Sequence, residues 1–99
     1  MIFVLTYDIH FEEAGDKNAQ RRLAKLYRYL CDYGFHRQRS LFEFDVEMGS
    51  MQKILLGVKK IINKETDSVA VYPLCEKCLK RVVVQGVGEK IEIKDFEIV

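Results

Sequence analysis

Residues 2–9 read IFVLTYDI, with apolar side chains at both odd and even positions. Phe3, Leu5, Tyr7 and Ile9 fall on one face of an extended chain, and Ile2, Val4, Thr6 and Asp8 on the other. A strand apolar on both faces suits the centre of a sheet covered on both sides. A polar loop follows at 10–16, then Ala19, Leu23, Leu26, Tyr27 and Leu30 recur at helical spacing. This spacing predicts an amphipathic helix over 17–33, with Asp16 as cap and Gly34 as stop. Over 36–47 the pattern alternates, Ser40, Phe42, Phe44 and Val46 against Leu41, Glu43, Asp45 and Glu47. It predicts strand, bent or broken near Ser40.

Ser50 is expected to cap a second helix with the stripe Met51, Ile54, Leu55, Val58, Ile61 and Ile62, ending near Asn63. The β-branched runs 69–74 and 81–85 predict strands joined by a short turn at 75–80. A last strand-like segment lies at 90–99, after Gly86 and Gly88. The order β-α-β-β-α-β, with an extra C-terminal strand, points to an α+β sandwich of the ferredoxin-like kind. Two helices cover one face of such a sheet, yet residues 2–9 are apolar on both. A second copy laid sheet to sheet would cover the other face and carry each Asp8 towards the dimer axis.

The chain's 99 residues are too few to divide between two cores, so 1–99 is read as a single domain. At 48% hydrophobic and 31% charged residues it is too apolar for a disordered tail or linker. No run of about 18 apolar residues is present, which argues against a membrane span and a membrane partner. Cys31, Cys75 and Cys78 are odd in number and too few for a disulfide scaffold, which fits a reducing, cytoplasmic setting.

The net charge of +1 conceals strong local imbalance. Residues 1–16 hold four acids and no Lys or Arg, whereas 17–39 hold seven bases against one acid, Asp32. Lys17, Arg21, Lys25 and Arg28 follow i, i+3 and i+4 spacing along one helix face with few acids to compensate them. With Arg37 and Arg39 they form a candidate track for phosphates, and a solvated face is the plainer reading of the same residues. Arg22 lies nearer the apolar stripe and is expected to reach towards Asp8.

Asp8 ends the first strand, where a carboxylate either caps the following loop or serves as ligand to a hard divalent cation. One carboxylate holds Mg²⁺ poorly, so the second role needs a two-fold copy, waters or substrate phosphates. Cys75-Glu76-Lys77-Cys78 has the spacing of half a zinc site or a redox pair, but the remaining ligands are scarce and a tight turn is the better reading. Ser40 and His36 lie too far apart on a strand to act as a nucleophile–base pair. The 86–88 Gly-x-Gly segment lacks the following helix of a phosphate loop.

Several residues together carry a resemblance. They are Tyr7-Asp8-Ile9, Arg22-Leu23-Ala24-Lys25, Tyr33-Gly34, Gln38-Arg39-Ser40-Leu41-Phe42-Glu43, Asp67-Ser68-Val69, Tyr72-Pro73-Leu74, the 75–78 turn, Gly86 and Ile98-Val99. In this order and spacing, over essentially the whole chain, the sequence resembles the small CRISPR-associated protein of the spacer-acquisition complex. That family is the second core adaptation subunit, often called CRISPR-associated endoribonuclease. The resemblance implies a ferredoxin-like homodimer with facing sheets, its last strand able to add to the partner's sheet. It implies Asp8 as metal ligand and catalytic acid, holding Mg²⁺ or Mn²⁺ for phosphodiester hydrolysis, with Tyr7, Arg22, Ser40 and Phe42 in support. It also implies a non-catalytic role, in which the dimer bridges integrase subunits and binds a protospacer DNA duplex through Lys and Arg. Single-stranded RNA is the other candidate substrate. A ferredoxin-like regulatory module binding a small ligand at its dimer interface is a competing reading, and it predicts no salt-dependent binding to duplex DNA. An RNA-recognition motif ranks lower because its aromatic strand signature is missing.

Overall fold

The computed structural model describes residues 1–86. Its elements run β1 (Ile2–Asp8), α1 (Lys17–Cys31), β2 (Phe35–Gln38), β3 (Leu41–Asp45), α2 (Met48–Ile61), β4 (Ser68–Leu74) and α3 (Glu76–Lys80). The sheet order is β2-β3-β1-β4, and every neighbouring pair is antiparallel. Each β-α-β crossover therefore straddles one strand of the other, which is the ferredoxin-like arrangement. β1 lies inside the sheet as its double-sided apolarity requires.

α1 forms as its pattern predicts. Asp16 Oδ1 accepts the Ala19 N–H at 3.1 Å, and the chain stops where the Gly34 N–H returns to the Leu30 carbonyl at 2.9 Å. The stretch after it is broken by a turn at Arg39 and Ser40, where Arg39 takes a left-handed φ of 38°. α2 begins at Met48 with Glu47 at the cap position, three residues before the expected Ser50 cap, and Glu47 makes no side-chain capping bond. Nothing in Met48-Gly49-Ser50 prevents helix, so it starts as soon as β3 releases the chain.

The core lies between the sheet and α1 and α2. Phe3, Leu5, Tyr7 and Ile9 meet Phe42 and Phe44 from β3, Leu26 and Leu30 from α1, and Met51, Ile54 and Val58 from α2. The helices approach closely at Gly57, where an added Cβ would run into the Tyr29 ring, and the Tyr29 hydroxyl donates to the Ile54 carbonyl at 3.0 Å. Glycine inside a helix costs roughly 1 kcal/mol against alanine; here it lets the two helices pack.

The other sheet face carries Val4, Thr6 and Asp8, flanked by Leu41, Glu43 and Asp45 and by Ala70, Tyr72 and Leu74. On this face Tyr72 is 57% exposed, while Val4, Thr6, Leu41, Ala70 and Leu74 are half-buried. Residues 75–80 are the cap Cys75 and the short helix α3 rather than a bare turn, anchored by the buried Leu79. Residues 81–85 are not the expected strand. The run leaves α3 and passes by Val4, Leu41 and Glu43, lining a cavity of about 340 Å³ with them rather than pairing with the edge strand β2 or β4. The expected last strand at 90–99, and with it any exchange between copies, lies outside the described residues. No helix among the described residues is long and apolar enough to cross a membrane.

Candidate functional site

α1 is amphipathic because the residues buried on it, Ala19, Leu26 and Leu30, share one side. Lys17, Arg21, Lys25 and Arg28 are thereby left on the far side, and all four are exposed. None forms an ion pair with a described residue; the described pairs involve Met1, His10, Arg22 and Arg37. The helix thus presents a row of uncompensated cations along about 17 Å, from its 1.5 Å rise per residue.

The other bases part from this row. Arg39, exposed on the β2–β3 turn, lines a cavity of about 590 Å³ with Tyr7, Gln20, Leu23, Ala24, Tyr27 and Ser40, adjoining α1. Arg37 points to the opposite sheet face, its Nε 3.0 Å from Glu43 Oε1, with the two side chains 16% and 11% exposed. It is an internal ion-pair partner and not part of the α1 track.

Arg22 does not turn to Asp8 as expected. Its Nε donates to Asp67 Oδ2 at 2.8 Å and its Nη2 to Oδ1 at 3.3 Å, a bidentate grip on a carboxylate whose side chain is fully buried. Asp67 also accepts the backbone N–H of His10 at 2.9 Å and of Asn63 at 2.8 Å. Burial alone would raise the Asp67 pKa, but the Arg22 hydrogen bond, with the Asn63 and His10 N–H groups, outweighs it and holds the carboxyl below its ordinary range. Asp67 therefore ties the loop after β1, the α2–β4 connection and α1 together.

Asp8 stands at the end of β1, exposed, opposite Ser68 of β4. Directly opposed residues share a face of the sheet, which makes Ser68 the nearest hydroxyl in the pairing. The place of Ser68 opposite Asp8 follows from the β1–β4 register and from no local pattern in the sequence. Tyr7, one residue earlier, faces the helices with Phe42, their rings 6.2 Å apart. Burial, then the neighbouring Tyr27 and Cys31, pushes the Tyr7 phenol up, so it stays a protonated donor at neutral pH. Ser40 holds the Tyr7 backbone N–H through its carbonyl at 3.1 Å. Phe42 is wholly buried. Tyr7, Ser40 and Phe42 thus brace the strand that carries Asp8 from its other side.

Among the described residues no three His, Cys, Asp or Glu side chains are grouped as metal ligands. Asp8 fits Mg²⁺ or Mn²⁺ in kind, as a hard and accessible oxygen donor. It fits in number only when a second copy's carboxylate, waters or phosphate oxygens join it.

On the same sheet face, burial pushes the Glu43 carboxyl up, only partly offset by Arg37. A group whose folded pKa exceeds its unfolded value of about 4.3 opposes folding once it ionises. Relative to Glu43→Gln, the wild type is expected to lose stability as pH rises from about 4 through the raised pKa. Thermal unfolding of both at several pH values checks this, and a difference growing in the other direction would contradict it.

The model of the family described as "CRISPR associated protein Cas2" matches residues 1–82. The chain is 30% identical over 86 residues to a protein of Synechocystis sp. named CRISPR-associated endoribonuclease Cas2 1, covering 87% of each. It is 27% identical over 95 residues to a CRISPR-associated endonuclease Cas2 of Halalkalibacterium halodurans, covering 96% of each. The crystal structure of Streptococcus pyogenes Cas2 superposes with a TM-score of 0.72 at 30% identity, over 87% of this chain and 100% of that one. A hypothetical protein of Thermus thermophilus shares the fold, with a TM-score of 0.71 at 24% identity.

Proposed function

From the premise that the chain belongs to the Cas2 family of CRISPR-associated proteins, we propose that it serves in spacer acquisition as a nucleic-acid-binding homodimer. The observation that carries this reading is the uncompensated row Lys17, Arg21, Lys25 and Arg28 on α1. Cations spaced along an exposed helix meet successive phosphates and read no base, so binding to a protospacer DNA duplex would be largely independent of sequence. Single-stranded RNA presents the same phosphates. The exposed Tyr72 and the half-buried Val4, Leu41, Ala70 and Leu74 on the sheet face away from the helices support the second copy, since an isolated domain of this size leaves much apolar surface uncovered. An integrase subunit is the partner that this role requires.

The same reading gives Asp8 a chemical task. Two copies placed sheet to sheet would bring their Asp8 carboxylates together, and those carboxylates would hold Mg²⁺ or Mn²⁺ for an endonuclease reaction. When bound, the metal supplies Lewis-acid polarisation of a phosphodiester and an activated water. The chain's own residues hold the metal at Asp8 and fix the phosphate backbone on α1. Tyr7, Ser40 and Phe42 keep β1 rigid beneath the site. A second reading, a non-catalytic scaffold bridging integrase subunits, is favoured by one observation: among the described residues Asp8 belongs to no group of three or more His, Cys, Asp or Glu side chains.

Salt dependence tests the binding reading. The logarithm of the affinity for duplex is expected to fall linearly with the logarithm of salt concentration. Replacing Arg21 and Arg28 by alanine should reduce that slope by about 0.9 for each phosphate contact removed. Fluorescence anisotropy of a labelled duplex across a salt series gives the slopes. A slope unchanged in the variant would remove α1 from the interface.

A further inference from the structure

Cys75 and Cys78 take no part in the nucleic-acid reading, yet the fold places them together. β4 ends at Leu74, and Cys75 follows as the cap residue of α3, with φ −74° and ψ 166°. Its Sγ accepts the Cys78 backbone N–H at 3.5 Å. Both thiols are free and exposed, and α3 is held down by the buried Leu79, whose N–H returns to the Cys75 carbonyl at 2.9 Å. Residues three apart on a helical turn lie about 5–6 Å apart at Cβ, and a disulfide needs about 3.5–4.5 Å. Because Cys75 precedes the helix and keeps extended backbone, a small rotation there closes the gap without unwinding α3.

We propose that Cys75 and Cys78 are a redox-active dithiol that closes to an intramolecular disulfide by exchange with a small-molecule disulfide of the glutathione type. The Cys75 thiolate attacks one sulfur of oxidised glutathione, that S–S bond breaks, and one glutathione thiolate leaves. The Cys78 thiol then gives its proton to solvent and attacks the Cys75 sulfur, expelling the second glutathione. Two protein thiols have lost two electrons, and one glutathione disulfide has become two thiols.

The order of attack follows from the surroundings. The Cys78 N–H, and after it the Cys78 thiol, hold the Cys75 thiol below its ordinary range, while donating to Cys75 and facing its charge push Cys78 up. Cys75 is thus the larger thiolate fraction at neutral pH and the entering nucleophile. The bridge fixes the first turn of the connection leaving β4, just upstream of Val83, Val84 and Gln85, which line a cavity with Val4, Leu41 and Glu43. The third thiol, Cys31, closes α1 and serves as an internal control.

The test is mass spectrometry of the full chain after equilibration in graded ratios of reduced to oxidised glutathione, with free thiols trapped by alkylation. Cys75 and Cys78 are expected to lose alkylation together and yield a single linked peptide that dithiothreitol reopens, while Cys31 stays alkylated in that form. Cys75→Ser and Cys78→Ser are each expected to stop at a mixed disulfide with glutathione. The proposal is overturned if the two thiols titrate independently to separate glutathione adducts, or if the bridge forms between chains. It is equally overturned if bound zinc protects both thiols until a chelator is added.

Discussion

Asp67→Ala is expected to lower the stability of the domain by about 3 kcal/mol, because removing one partner of a buried pair strands the other. On a domain of this size that corresponds to a fall in thermal midpoint on the order of 15 °C. Asp67 is the sole polar or charged residue among the buried set of the described chain, and its carboxylate answers Arg22 and the His10 and Asn63 N–H groups at once. Alanine leaves the His10 and Asn63 N–H groups and the Arg22 Nε without this acceptor, while Arg22 Nη2 keeps only the His10 carbonyl at 3.2 Å. Arg22→Ala is also expected to destabilise, by leaving the buried carboxylate without its cation. The pH dependence follows from the lowered pKa of Asp67. Its contribution is complete above the unfolded carboxylate value of about 3.9 and is lost as pH falls through the lower folded value. In acid the wild type and Asp67→Ala are therefore expected to converge. Calorimetry at neutral and acid pH checks both points, and a neutral-pH midpoint unchanged by the substitution would show that Asp67 is not the tie described.

Asp8→Asn is expected to reduce metal-dependent cleavage by at least about 100-fold, since a neutral amide is a poor ligand for Mg²⁺ or Mn²⁺. Asp8 is exposed at a strand end and contributes nothing to the core, so the variant should fold, dimerise and bind duplex as the wild type does. Labelled single-stranded RNA and duplex DNA, incubated with Mg²⁺, Mn²⁺ or a chelator, supply the readout. Cleavage that persists in Asp8→Asn would place the chemistry elsewhere. If the wild type cuts neither substrate but still binds duplex, the scaffold reading stands in its place.

The parts of this architecture legible in the sequence are those written by local periodicity. β1 announces itself by apolar residues on both faces, and α1 by Leu23, Leu26 and Leu30 between an Asp cap and a Gly stop. The basic row of α1 is legible for the same reason, since helical spacing alone puts Lys17, Arg21, Lys25 and Arg28 on one side. What the pattern does not carry is pairing over distance. Arg22 finds Asp67 45 residues away, a partner that no local spacing points to. Arg37 looks like one more base of the track until the fold, through the irregularity between His36 and Gln38, sets its Nε 3.0 Å from Glu43 Oε1. Residues 81–85 have the composition of a strand, but β propensity depends on the packing a run finds, and here the run lies beside Val4, Leu41 and Glu43 instead of pairing.

The mass of the complex formed with a labelled DNA duplex, measured by native mass spectrometry at low and at raised ionic strength, tests the central claim most directly. The account predicts two chains on each duplex at low salt and release of the intact dimer as salt rises. A single chain on the duplex, or a complex indifferent to salt, would contradict it.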